Sequence, residues 1–117
     1  MLIGDLAART GVSPRSLRHC EAQHLLDPMR DSSGYRHYQE ADVTRVLQII
    51  AMMDGGMNTD TIWRFLDCAR TLDEGIVLEM CPDLRAEVEA IGERLVADQQ
   101  KLTATRQHLT TLTGTGR

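Results

Sequence analysis

Residues 2–26 read LIGDLAARTGVSPRSLRHCEAQHLL, and this stretch decides the fold. In its first part Leu2, Ile3, Leu6 and Ala7 share one face of a helix, and Gly11 stands where a left-handed cap would end it. Ser13 followed by Pro14 then starts a second helix. The serine oxygen can accept from free backbone N–H groups, and proline suits the first helical position. Two short helices joined through Gly11-Val12-Ser13 make a helix-turn-helix. The second turns Leu17 and Cys20 inward and leaves Arg15, Ser16, Arg18 and His19 on or near its outward side. It stops near Leu25-Leu26-Asp27-Pro28, because the residue before a proline is pushed out of helical geometry.

The next segment, MRDSSGYRHY at 29–38, reads as two short strands around a turn, with Gly34 supplying a positive φ. It holds both tyrosines of a chain with only four aromatic side chains. From Asp42 the spacing Val43, Val46, Leu47, Ile50, Met53 predicts a third helix, stopped by Gly55-Gly56. Asn58 or Thr59 caps a fourth, with Ile62, Phe65, Leu66 and Ala69 inward. Residues 71–83 have the least regular pattern and read as a connector ending at Cys81-Pro82.

The clearest periodicity comes last. Leu84, Val88, Ile91, Leu95, Asp98, Leu102, Thr105, Leu109 and Leu112 follow alternating steps of four and three, the seam of a coiled coil broken only at Asp98 and Thr105. A stripe so narrow has no room to bury itself on a small domain already filled by four short helices. The same helix of a second copy is the expected partner, making a homodimer. The chain frays out at TGTGR. The expected architecture is mainly α: a winged helix-turn-helix domain over 1–70 with a small β-hairpin wing, a connector over 71–83, and a coiled-coil dimerisation helix over 84–113.

Bulk composition agrees with this and narrows the rest. At 117 residues and 3% aromatic, the core has to be aliphatic, which suits packed helices. The net charge of −4 is unevenly spread: residues 1–45 hold six arginines against six carboxylates, and the remainder carries seven basic against eleven acidic groups. A neutral N-terminal half permits nucleic-acid binding without demanding it. Three widely spaced cysteines, Cys20, Cys68 and Cys81, make no disulfide framework, and the N-terminus lacks the pattern of a secretion signal, so a cytoplasmic protein without a membrane partner is expected. The four histidines, at 19, 24, 37 and 108, are scattered, and neither a phosphate loop nor a nucleophile motif is present. No catalytic residue, metal ligand or cofactor is expected. Met52, Met53 and Met57 beside Trp63 could line an apolar pocket, although methionines so placed are more often core filler.

Taken in order, IGDLAARTGVSPRSLRHCEAQHLL, GYRHYQEADVTRVLQI and GMNTDTI resemble the MerR family of bacterial transcriptional regulators over residues 2–66, and the 84–112 helix is similar in kind to that family's dimerisation helix. The resemblance implies a homodimer bound to double-stranded promoter DNA, with the second helix in the major groove and the wing on the backbone. It implies distortion of an overlong promoter spacer in response to an effector, with RNA polymerase as the further partner. On that reading Ser13, Arg15, Ser16, Arg18, His19, Tyr35, Arg36 and Tyr38 face DNA. Arg18 matches the arginine of the family's Leu/Ile-Arg-Tyr-Tyr-Glu motif, whose two aromatics are here His19 and Cys20. A glycine usual before the following Leu-Leu is here His24. These three departures support an alternative, a protein-interaction adaptor that works through its acidic coiled coil and has lost DNA binding.

Overall fold

The protein's structure, a computed structural model, describes residues 1–114. It divides into two compact units, one over Met1–Met80 and one beginning at Cys81.

The first unit opens with α1 (Ile3–Thr10), α2 (Pro14–Ala22) and a hairpin, β1 (Met29–Arg30) and β2 (Arg36–His37). Then come α3 (Glu40–Asp54), α4 (Thr59–Phe65) and a single 3₁₀ turn over Leu66–Cys68. Each helix starts where the chain offers an acceptor. Ser13 Oγ accepts from the Ser16 N–H at 3.2 Å, Asn58 Oδ1 from the Thr61 N–H at 2.9 Å, and Asp42 reaches back to the Gln39 N–H at 2.7 Å. Each such cap is worth about 1 kcal/mol. The helix-turn-helix runs as expected, with Gly11 left-handed at φ 75°. After α2 the chain turns through His24, which has φ 62° and is the one described residue other than glycine with a positive φ. A left-handed residue with a Cβ carries a cost of about 1–2 kcal/mol.

Leu6, Leu17, Val46, Ile49 and Ile62 meet where α1, α2, α3 and α4 pack, and Phe65, Leu66 and Ala69 close the core from below as expected. On α3 the buried stripe is one step off the expected one. Val43 and Val46 point inward, but Ile49 and Met52 replace Leu47, Ile50 and Met53, of which Leu47 and Met53 are exposed. The run VLQIIAMM is apolar on several faces, so periodicity could not choose between neighbouring stripes. Met52 and Met57 are core residues, whereas Trp63 lines an open cleft and Met53 a separate one. Met52 and Met57 are thus the core filler that methionines so placed more often are, and among the described residues no pocket joins them to Trp63.

Where a fourth helix reaching Ala69 and an irregular connector over 71–83 were expected, residues 69–78 form a second hairpin. β3 (Ala69–Leu72) pairs antiparallel with β4 (Gly75–Leu78), and Gly75 at φ 135° completes the turn. Gln48 of α3 donates to the Thr71 hydroxyl at 3.2 Å, and the Glu79 N–H to the Cys68 carbonyl at 2.8 Å, which tie the hairpin to the helices. The strands escaped sequence reading because ARTLDEGIVL shows no sustained alternation.

The second unit is α5 (Pro82–Leu112), 31 residues long. Cys81 is its N-cap, with Sγ accepting from the Leu84 N–H at 3.4 Å. Of the expected seam, Leu84 and Ile91 are buried and Val88 is half-buried, whereas Leu95, Asp98, Leu102, Thr105, Leu109 and Leu112 are exposed. The Thr105 hydroxyl turns back to the Lys101 carbonyl at 2.9 Å. Residues 115–117 of the terminal TGTGR lie outside the described residues. No helix among the described residues is long and apolar enough to cross a membrane.

The left-handed position after α2 makes a direct prediction. His24→Gly is expected to raise the free energy of unfolding by about 1 kcal/mol in urea denaturation; a loss of stability would mean that the imidazole makes a compensating contact.

Candidate nucleic-acid interface

The outward side of α2 is set by Leu17 and Cys20, both buried, the first completely. With those two anchored, helical geometry leaves Ser13, Arg15, Ser16, Arg18 and His19 all exposed. Ser13 is at once the cap of the helix and part of this surface, its Oγ lying 3.1 Å from the Ser16 hydroxyl. The N-terminus of α2 therefore presents backbone N–H groups and two hydroxyls beside Arg15, an arrangement suited to an anion. Burial pushes the Cys20 thiol up from its ordinary value, which keeps it protonated and a poor nucleophile.

The β1–β2 hairpin lies alongside. Its turn is organised by one carboxylate: Asp31 Oδ1 accepts from the Ser33 N–H at 2.9 Å and the Tyr35 N–H at 3.0 Å. The other oxygen, Oδ2, pairs with His37 Nε2 at 2.8 Å. The hydrogen bond from His37, followed by that from the Tyr35 N–H, holds the Asp31 carboxyl below its usual range. Gly34, at φ 84°, lets the chain return. The Tyr35 side chain projects from the tip and is 66% exposed.

Tyr38 corrects the expected DNA-facing set. Its side chain is only 2% exposed and belongs to the core, so it is not a surface residue of the wing. The reason is strand alternation: Tyr35 and Tyr38 are three apart in a nearly extended segment and point to opposite faces. The main chain at Tyr38 is also held, accepting from the Met1 ammonium at 2.8 Å and donating to the Met1 carbonyl at 2.7 Å. Its hydroxyl is buried without a hydrogen-bond partner among the described residues. Burial first, then the Glu21 carboxylate, push that phenol above its ordinary value.

Arg36 is half-buried and already engaged. Its Nε donates to Glu21 Oε2 of α2 at 2.6 Å, while Arg30 Nη2 of β1 donates to Glu21 Oε1 at 3.2 Å. Glu21 stands at the glutamate of the Leu/Ile-Arg-Tyr-Tyr-Glu motif, but neither it nor Arg30 was among the expected site residues. Glu21 lies in a helical stretch of mixed charge, and only the folded hairpin shows that it faces two arginines across the chain.

An exposed basic and hydroxyl face on the second helix of a helix-turn-helix, flanked by a hairpin whose tip carries an exposed tyrosine, is the geometry in place. The sequence profile described as MerR HTH family regulatory protein matches residues 1–68. The chain belongs to the MerR family. It is 37% identical over 67 residues to an uncharacterized HTH-type transcriptional regulator of Pseudomonas aeruginosa, covering 56% of this chain and 51% of that one. It is 38% identical over 60 residues to the HTH-type transcriptional regulator TnrA of Bacillus subtilis, covering 51% and 54%. The chain thus matches about half the length of these relatives. The crystal structure of the N-terminal part of the Bacillus subtilis multidrug transporter activator Mta superposes with a TM-score of 0.71 at 26% identity, covering 96% of each chain. The mainly helical fold with its small wing and long C-terminal helix is the MerR winged helix-turn-helix fold.

Two predictions follow from the burial and the turn. Tyr38→Phe is expected to leave the unfolding free energy in urea unchanged or higher by up to about 1 kcal/mol, since a buried hydroxyl without a partner is removed; a clear loss would mean that the hydroxyl is hydrogen-bonded. Asp31 has a depressed folded-state value, so its contribution is complete above the ordinary carboxylate range near about pH 4 and disappears as pH falls through the lower folded value. Amide resonances of Ser33 and Tyr35 followed by NMR should therefore hold their turn-specific shifts down to about pH 4 and lose them below it. In Asp31→Ala those shifts should be absent at neutral pH.

Proposed function

We propose that the protein is a homodimeric transcriptional regulator that binds double-stranded promoter DNA through α2 and the β1–β2 wing. The carrying observation is the exposed set Arg15, Ser16, Arg18 and His19 on one face of α2 beside Tyr35 and Arg36 of the wing. α2 is short enough to lie in a major groove with its N-terminal half against base edges, where arginine reads guanine through a bidentate pair. Ser13, with the helix N-terminus, takes a phosphate. Tyr35 and the Nη groups of Arg36 take backbone phosphates to one side, contacts that position the protein without reading sequence.

The dimer is proposed from α5. Leu95, Leu102, Leu109 and Leu112 are exposed at seam spacing. Burying each would contribute about 1.5–3 kcal/mol, and a second α5 presents the matching stripe. Two copies then place two α2 helices on one duplex. Following the family, the response to an effector is a distortion of the promoter spacer that realigns the site for RNA polymerase, and the protein works in the cytoplasm.

The adaptor reading drew on the departures at positions 19, 20 and 24. Cys20 is buried, so the change there removes no surface group; His19 is exposed and able to donate; and His24 holds the left-handed turn without glycine. The DNA reading is the one these observations favour.

The test is capture of fragmented genomic duplex by the purified protein, followed by titration of the recovered site at several salt concentrations. Six to ten phosphate contacts would give a slope of log K against log salt of roughly −5 to −9. Arg18→Ala should weaken binding at least about tenfold, the scale of one good arginine contact. Leu102→Asp should convert a dimer to a monomer in analytical ultracentrifugation. Unselective recovery with a shallow slope would favour the adaptor.

A further inference from the structure

The β1–β2 wing has a built-in conflict. Its two ladder pairs are Met29 with His37 and Arg30 with Arg36, so two guanidinium groups stand directly opposite each other across the strands. Like charges facing each other in an antiparallel pair are destabilising. A hairpin with two residues per strand has almost nothing with which to resist, since even longer isolated hairpins are marginal in water. Yet the wing is closed, with the Asp31 N–H donating to the Tyr35 carbonyl at 3.0 Å.

Asp31 holds the turn, and a second carboxylate answers the conflict between the arginines. Glu21, in the last turn of α2, is 17% exposed and directs one oxygen to each arginine: Oε1 to Arg30 Nη2 at 3.2 Å and Oε2 to Arg36 Nε at 2.6 Å. Arg30 carries the restraint onward, because its Nη1 donates to the Gly34 carbonyl at the wing tip at 3.0 Å. A continuous path therefore runs from α2 through Glu21 and Arg30 to the residue next to Tyr35. The buried phenol of Tyr38 lies near enough to feel the Glu21 carboxylate. Arg36 engages Glu21 through Nε at 2.6 Å, and its side chain is still 36% exposed. Charge-assisted hydrogen bonds of this kind are the stronger ones in proteins.

We propose that Glu21 is a positioning residue for DNA binding: it clamps both strands of the wing to the recognition helix, so that helix and wing meet the duplex as one rigid surface. This rests on the DNA-binding reading above, but the clamp itself is a property of the free protein. The proposal runs against simple charge counting. Glu21 is a negative group beside a surface meant for a polyanion, so removing it should on electrostatic grounds tighten binding to any duplex. If it is a clamp, its removal frees the wing and costs affinity for the selected site.

Two measurements on the full chain separate these outcomes, both with Glu21→Gln, which keeps the side chain's size. The first needs no DNA. Backbone ¹⁵N relaxation at Gly34 and Tyr35 should show rigid order parameters near about 0.85 in the parent and flexible values below about 0.6 in the variant, with unchanged values through α1 and α3 as proof of folding. Equal order in both proteins would overturn the clamp, as would a wing already flexible in the parent. The second is the ratio of affinities for the captured site and for random duplex. Glu21→Gln should lower selected-site affinity by about tenfold, the scale of one lost charge-assisted contact, while random-duplex affinity stays level or rises. Tighter binding to both with an unchanged ratio would overturn the positioning role. Arg30→Gln, which cuts the path to the tip, should reproduce the rigidity loss, and the double variant should be no worse than either single one. If the parent selects no site at all, the DNA reading fails, and the relaxation data still decide the clamp.

Discussion

A wing with two residues in each strand has no stability of its own, and the rest of the interface depends on how it is fastened. The fastening is a buried tyrosine at its base. Tyr38 follows β2, sinks into the helical core, and exchanges main-chain hydrogen bonds with Met1 at the N-terminus. Its position fixes where the hairpin leaves the core and therefore which face of α2 the wing can flank. Glu21 then fixes the angle. Removing either constraint would leave the basic face of α2 intact but isolated, and a lone short helix is a weak reader of DNA.

The same economy shows elsewhere in the first unit. Leu17 and Cys20 bury one side of α2, and that choice alone turns Arg15, Arg18 and His19 to solvent. Ser13 serves as a cap for the helix and as a surface hydroxyl. His24 takes the left-handed turn that sends the chain toward the wing. Arg30 and Arg36 stand opposite each other in the wing, with a single carboxylate hydrogen-bonded to both.

Features set by local chemistry were legible in the sequence. Ser13-Pro14, Gly11 and Gly34 act through their own backbone preferences, and the structure puts all three where those preferences lead. The heptad spacing of α5 is a one-dimensional signal and needs no tertiary knowledge. What escaped depends on contacts between distant residues. Tyr38 was placed with Tyr35 and Arg36 on the DNA face by the family resemblance, and only the fold shows that the chain turns inward after His37. Glu21 is 9 residues from Arg30 and 15 from Arg36, a separation at which no periodicity speaks. The β3–β4 hairpin was missed because its strands are short and lack alternation, and the buried stripe on α3 because several of its faces are apolar.

The central claim is that α2 and the wing act as one DNA-reading surface, presented twice by a dimer. Hydroxyl-radical footprinting on the captured promoter tests it most directly. The account predicts two symmetric zones of protection, related by a dyad and separated by about 10 base pairs or a multiple of it, each with a backbone contact flanking its major-groove segment where the wing lies. A single asymmetric zone, or protection without the flanking contact, would contradict it.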